Sequence, residues 1–206
     1  MFNLSDEGNG QLYATRYWNK VRWVEKWSSW IIWDGTRWRI DEFREYRQLY
    51  TDFIQAMIDG CEKLGLDPGD KVLKWYYGSR SESRTRAALN KAQDNLCVSP
   101  ASLDSDPWLL NCPNGVVDLR TGELRPHDPE LLMMKQTRVQ YHPEAGADRF
   151  LRFLERIQPN PEVRDWIQRH IGYSLTGMMR EEIFPIWWGT GNNGKSTLHG
   201  LFQRVL

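Results

Sequence analysis

The sequence predicts an α+β fold in three parts: a small Trp-rich β-meander, a predominantly helical domain with short hairpins, and the first strand, loop and helix of an α/β domain. Three observations carry this. Aromatic and β-branched residues crowd residues 21–40 around an Asp-Gly pair. Apolar residues recur at helical spacing from 43 to 64. A glycine-rich loop at 189–196 follows an apolar run and precedes a helical pattern. The parts are expected at 1–40, 41–181 and 182–206.

The 206 residues hold 27 Lys and Arg against 27 Asp and Glu, so net charge is zero and any nucleic-acid site must be a local patch. No apolar run approaches the ~20 residues of a membrane span, and the polar start "MFNLSDEGNG" is no signal peptide. Cys61, Cys97 and Cys112 lie apart with no CxxC, which fits free thiols in a reducing cytoplasm. Trp is over-represented: six of eleven fall before position 39.

A short helix is expected around 8–19. Asp34-Gly35 reads as a two-residue hairpin turn between arms at 28–33 and 36–40, because Gly accepts positive φ; residues 21–27 supply a third strand. Phe43, Tyr46, Tyr50, Phe53, Met57, Ile58, Cys61 and Leu64 form a helical stripe, started by Asp41 and ended by Gly65. "LDPGD" is a turn. "KVLKWYY" and "SESRTRAALNKAQDNL" follow as helices, the latter capped by serine. "LLNCPNGVVDLRTGELRPH" reads as two strands around Thr-Gly. "ADRFLRFLERIQ" is helical. The next helix has Asn160 as cap, Pro161 in its first turn and Gly177 past its end. "IFPIWW" is an apolar strand entering the loop.

Gly189-Thr190-Gly191-Asn192-Asn193-Gly194-Lys195-Ser196 fits G-x-x-x-x-G-K-[ST], and Thr197 completes the candidate phosphate-binding set. Glycines let backbone N–H groups curl around phosphates, Lys195 reaches the β- and γ-phosphates, and Ser196 ligates Mg²⁺. The expected cofactors are ATP and Mg²⁺. A second candidate is residues 71–91, where Lys71, Lys74, Arg80, Arg84, Arg86 and Lys91 face one acid, Glu82, with Trp75, Tyr76 and Tyr77 among them. Basic residues interleaved with aromatics suit a single nucleic-acid strand. A solvated helix face with the aromatics in the core is the leading reading of this stretch, and DNA contact is its rival. The Trp cluster at 18–38, with Arg22, Arg37 and Arg39, reads as core filling, a partner surface being its rival. Asp104-Ser105-Asp106 has metal-pair spacing but sits among Ser and Pro, so it reads as a connection. His127, His142, His170 and His199 are scattered.

"WGTGNNGKST" resembles the Walker A loop of superfamily 3 helicases, in particular the phage, plasmid and poxvirus-type primase-helicases. "WSSWIIWDGTRW", "DPWLLNCPNGVVDLRTGELRPHDP" and "IGYSLTGMM" resemble further stretches of that family, in its order. The resemblance implies an AAA+ ATPase core, a homohexameric ring, DNA as partner, cytoplasmic replication, and an accessory region before the ATPase that supports DNA engagement and assembly. Walker B carboxylates, a sensor residue and an arginine finger do not occur after the loop. The expectation is therefore an accessory region plus the opening of a motor, with poor ATP binding and no turnover of its own. The loop helix and "IFPIWW" should dock on the helix at 160–176 or on a second copy. The alternatives are a stand-alone subunit that modulates a full-length ring, and another P-loop NTPase such as a nucleotide kinase.

Overall fold

A computed structural model describes residues 3–178, 180–191 and 193–205. Its contacts divide the chain into two compact units, Met1–Leu103 with Pro129–Leu132, and Asp104–Asp128 with Met133–Leu206.

The first unit opens with α1 (Asp6–Tyr17), whose N-cap Ser5 accepts from the Gly8 amide at 3.0 Å. A three-stranded antiparallel sheet follows in the order β1 (Val21–Val24), β2 (Ser29–Trp33), β3 (Trp38–Ile40). Trp23 pairs with Trp30 and Trp33 with Trp38 across it. The expected third strand is cut short: after Val24 the chain makes a 3₁₀ turn, and Ser28 takes a left-handed φ of 48° to re-enter the sheet. The Asp-Gly turn is also wider than two residues. Asp34 accepts from the amides of Thr36 at 2.8 Å and Arg37 at 2.9 Å, so its carboxylate closes a four-residue loop.

Three helices complete this unit: α2 (Glu45–Lys63), α3 (Lys71–Gly78) and α4 (Glu82–Leu96). Asp41 starts α2 from outside the helix, accepting from the amides of Phe43, Glu45 and Tyr46 at 2.8–3.1 Å. Gly65 ends it at φ +75°. Ser81 occupies the N-cap of α4, but its side chain makes no capping bond. The stripe prediction holds for Tyr50, Phe53, Ile58 and Cys61, which are buried, whereas Phe43 and Leu64 lie at the helix flanks in solvent. One core joins these pieces: Tyr13 of α1, Val21 and Trp30 of the sheet, the buried stripe of α2, Leu73 and Tyr76 of α3, and Ala88, Leu89 and Leu96 of α4. The Trp-rich meander therefore shares its core with the helices of its unit. Trp30 and Trp38 are buried, Trp23 and Trp33 are half-buried, and Trp18 and Trp27 are exposed, so packing takes only part of the cluster.

The second unit holds β4 (Leu109–Cys112), β5 (Gly115–Asp118) and β6 (Glu123–Arg125), antiparallel in that order. This is one strand more than the Thr-Gly turn alone predicts. A second tight turn at Pro113-Asn114 is possible because Gly115, at φ +148°, lies where a Cβ would strike the Arg125 carbonyl. Then come α5 (Asp148–Ile157), α6 (Pro161–Leu175) and α7 (Lys195–Val205). Asn160 accepts from the Glu162 amide at 3.0 Å, and Gly177 takes φ +66°, both as expected. "IFPIWW" is not a strand: residues 182–188 pair with no strand among the described residues. A strand needs a neighbour to satisfy its backbone groups, and no such neighbour pairs with it among the described residues. Phe184, Ile186 and Trp188 stand exposed, Trp188 at 85%. The docking expectation holds for the rest. Leu198 of α7 is buried with Leu154 of α5 and Ile167 of α6, and Trp187 and Phe202 pack on that cluster.

Candidate phosphate loop and nucleic-acid surface

The loop residues gather at the start of α7. Gly191 and Gly194 adopt φ of +98° and +78°, conformations that side chains disfavour. A Cβ on Gly189 would strike the Asn193 amide and meet Lys195 Nζ at 2.9 Å. A Cβ on Gly194 would meet the Ile157 side chain at 2.6 Å. Gly191 and Gly194 are thus where the backbone must curl, and Gly189 and Gly194 lie against neighbouring side chains. Lys195 folds back over Gly189 and donates to Asn193 Oδ1 at 2.7 Å. Thr190, Gly191, Ser196 and Thr197 are exposed. Asn192 lies outside the described residues. Beside the loop is a pocket of about 200 Å³ lined by Ile157, Trp166, Ile186, Trp188, Asn193 and Lys195. That is below the ~300 Å³ at which small-molecule sites begin, and most of its lining is apolar, with Asn193 and Lys195 among the polar exceptions.

The basic stretch at 71–91 splits into two surfaces. Lys71 and Lys74 are exposed on α3 and have no ion-pair partner among the described residues. Arg80 lies over the Tyr77 ring at 5.5 Å and contacts Gln55; Arg84 lies over the Trp75 ring at 4.2 Å. Trp75 is half-buried against the core, Tyr76 is buried within it, and Tyr77 donates its hydroxyl to Glu62 at 2.8 Å. The aromatic row is therefore largely structural, and the cations above it are the exposed part. Arg86 belongs elsewhere. Residues two apart on a helix point to opposite sides, and Arg86 faces a cleft with Arg44, Arg47 and Trp23. Glu82 sits between Arg47 and Arg86. The Arg47 hydrogen bond, reinforced by Arg86, holds its carboxyl below the ordinary value. Sequence reading did not single out Arg44 or Arg47; the available signal was a pair of arginines flanking the first turn of a helix that follows the Trp cluster.

The remaining candidates have structural duties. Asp104 accepts from the Met134 and Lys135 amides at 2.8 and 3.1 Å, and Asp106 from the Trp108 amide at 2.9 Å. His127 hydrogen-bonds the Cys112 carbonyl, and His170 stacks on Trp166 at 5.0 Å. Burial pushes the Cys61 thiol up. Among the described residues no helix is long and apolar enough to cross a membrane.

A family model described as "D5 N terminal like" matches residues 10–159. The chain belongs to this family. Among its relatives, a protein of Acanthamoeba polyphaga mimivirus, proposed by its name to be a helicase, is 32% identical over 109 residues, covering 51% of this chain and 11% of that protein. A protein of Invertebrate iridescent virus 3, named in the same way, is 30% identical over 50% of this chain and 12% of its own length. A protein of African swine fever virus, proposed by its name to be a primase, is 30% identical over 51% of this chain and 12% of its own length. This chain thus matches about one-eighth of the length of these relatives. The D5 N terminal like match contains the whole first unit from Gly10 onward, with the α3 cations and the Arg86 cleft. The glycine-rich loop at 189–197 lies beyond the matched residues.

Proposed function

We propose that this chain serves DNA replication as part of a primase-helicase, engaging DNA through its first unit and holding the phosphates of ATP at the loop. The observation that carries the reading is the D5 N terminal like match over residues 10–159, in a family whose relatives bear helicase and primase names. The exposed cations of α3 support the DNA half, since phosphate neutralisation dominates strand binding. The loop geometry supports the other half. Gly189 leaves space only for the folded-back Lys195 and Asn193, and α7 begins at Lys195, so the positive end of a helix and an ammonium group converge where an anion would sit. Lys195 would pair with the β- and γ-phosphates, the amides from Gly189 to Gly194 would cradle them, and Ser196 and Thr197 would face Mg²⁺. When bound, ATP supplies the phosphoryl group whose transfer drives unwinding. The apolar segment 183–188 supports self-association into the ring that the superfamily 3 resemblance implies.

The test is fluorescence anisotropy of a labelled oligothymidylate at stepped salt concentrations. The wild-type chain is expected to bind, and to lose affinity as salt rises. Lys71→Ala/Lys74→Ala/Arg80→Ala should lower the slope of log K against log salt by about 2, at ~0.7 per phosphate contact on a single strand. Absence of binding by the wild type at low salt would sink the reading.

A further inference from the structure

We propose that the cleft between the Trp-rich sheet, the start of α2 and the face of α4 is a nucleotide-binding step for a single nucleic-acid strand, with a base against Trp23 and a phosphate held by Arg44 and Arg86. This rests on the DNA reading above and places a specific site within it.

The cleft measures about 490 Å³ and is bounded by Trp23, Tyr46, Arg44, Arg47, Glu82 and Arg86. This lies within the ~300–1,000 Å³ range of small-molecule sites. Its aromatic wall is pre-built. Trp30 is buried and acts as a wedge, stacked on Tyr46 at 5.1 Å and 17° and meeting Trp23 edge-on at 5.2 Å and 60°. Trp23 donates its indole N–H to Glu25 at 2.5 Å, which fixes the ring while leaving it half-buried and reachable. A fixed, half-open indole is what a base stacks on without losing side-chain entropy.

The charges fit a phosphodiester. Three guanidiniums face one carboxylate. Glu82 is shared by Arg47 and, at 3.4 Å, by Arg86. Arg44 has no ion-pair partner among the described residues. Arg44 also adopts φ 59° and ψ 36° at the N-cap of α2, a left-handed conformation that a residue with a Cβ disfavours and that Gly adopts freely. Ser28, on the same cleft, is left-handed too. Arg44 thus presents an unneutralised guanidinium to the cleft from a fixed position at the start of α2.

The test uses the full chain and a fluorescein-labelled oligothymidylate of about 15 nucleotides, near the upper end of strand lengths that single domains cover. Arg44→Gly/Arg86→Gln should bind about tenfold more weakly at low salt. Arg44→Gly alone should weaken binding while leaving Tm unchanged or raised, because Gly relaxes the left-handed backbone. A 5-iodouracil-substituted oligomer should crosslink to Trp23 or Tyr46, read by mass spectrometry. If the double variant binds like wild type while Lys71→Ala/Lys74→Ala/Arg80→Ala weakens binding, the strand lies on α3; this inference then falls and the DNA reading stands. Failure of the wild type to bind any oligomer removes both. Displacement of the oligomer by polyglutamate at equal charge concentration, with no crosslink at Trp23 or Tyr46, assigns the cleft to an acidic protein segment and overturns the inference.

Discussion

The helices of the two units are both amphipathic, yet they pack differently. In the first unit α1 lies tight on α4: a Cβ on Gly10 would come within 2.6 Å of the Ala88 carbonyl and 3.1 Å of the Ala92 amide. Small residues there let two backbones approach, and Tyr13, Phe53 and Ile58 fill the space around them at 2% exposure or less. In the second unit α5, α6 and α7 meet through Leu154, Ile167 and Leu198. Their flanking apolar residues Leu151, Val163, Trp166 and Leu201 stay in solvent, and the helix glycines Gly172 and Gly200 have open space around them. The difference teaches that an apolar stripe sets which face of a helix can be buried, while the number of neighbours sets how much of it is. Four helices and a sheet surround the first core; three helices and Trp187 enclose the second.

The sharpest way to break this comparison is to empty each core. Phe53→Ala removes a ring that sits 6.2 Å from Tyr13 and 6.0 Å from Tyr50 and should cost about 3–5 kcal/mol. Ile167→Ala should cost about 2 kcal/mol, at the low end for such truncations, because its site can collapse toward solvent. Urea denaturation followed by circular dichroism measures both; equal costs would mean the second cluster is as well enclosed as the first.

A smaller effect sharpens the contrast in backbone approach. Gly10→Ala should destabilise by about 1–3 kcal/mol through overpacking. Gly172→Ala, in the interior of α6, should stabilise by about 0.5–1 kcal/mol by helix propensity. Opposite signs of the Tm shift are expected from the same chemical change.

The smallest expected effect concerns the turn that closes the Trp-rich sheet. Burial opposes ionisation of Asp34, but the Thr36 and Arg37 amides outweigh it, so its pKa lies below the ordinary value. A depressed carboxylate pKa stabilises the fold above the ordinary value and loses that contribution as pH falls through the lowered one. With solvent screening the contribution is at most about 1 kcal/mol. Asp34→Asn should therefore flatten the fall of Tm on acidification while changing Tm at neutral pH only slightly. An unchanged acid limb would mean the turn is held by backbone alone.

Much of this was legible in the chain itself. The stripe from Tyr46 to Cys61, the caps at Asp41 and Asn160, and the stops at Gly65 and Gly177 are local, because each depends on residues within a turn or two of one another. The glycine pattern at 189–194 located the loop for the same reason: positive φ and crowding leave few other residues possible. Non-local features were not legible. Residues 183–188 have the composition of a strand, but strand formation needs a neighbour. The cations at 71–91 are one run in sequence, but helix geometry sends Arg84 and Arg86 to different faces, and only the packing of α4 beside the start of α2 brings Arg86 to Arg44 and Arg47. The sequence by itself determined most of the helices, the caps at Asp41 and Asn160 and the course of the glycine-rich loop, since these are set by short-range sterics and hydrogen bonding. The tertiary structure alone decided which aromatics became core, which arginines met, and which apolar segment stayed in water, since burial and charge proximity depend on chain segments far apart in sequence.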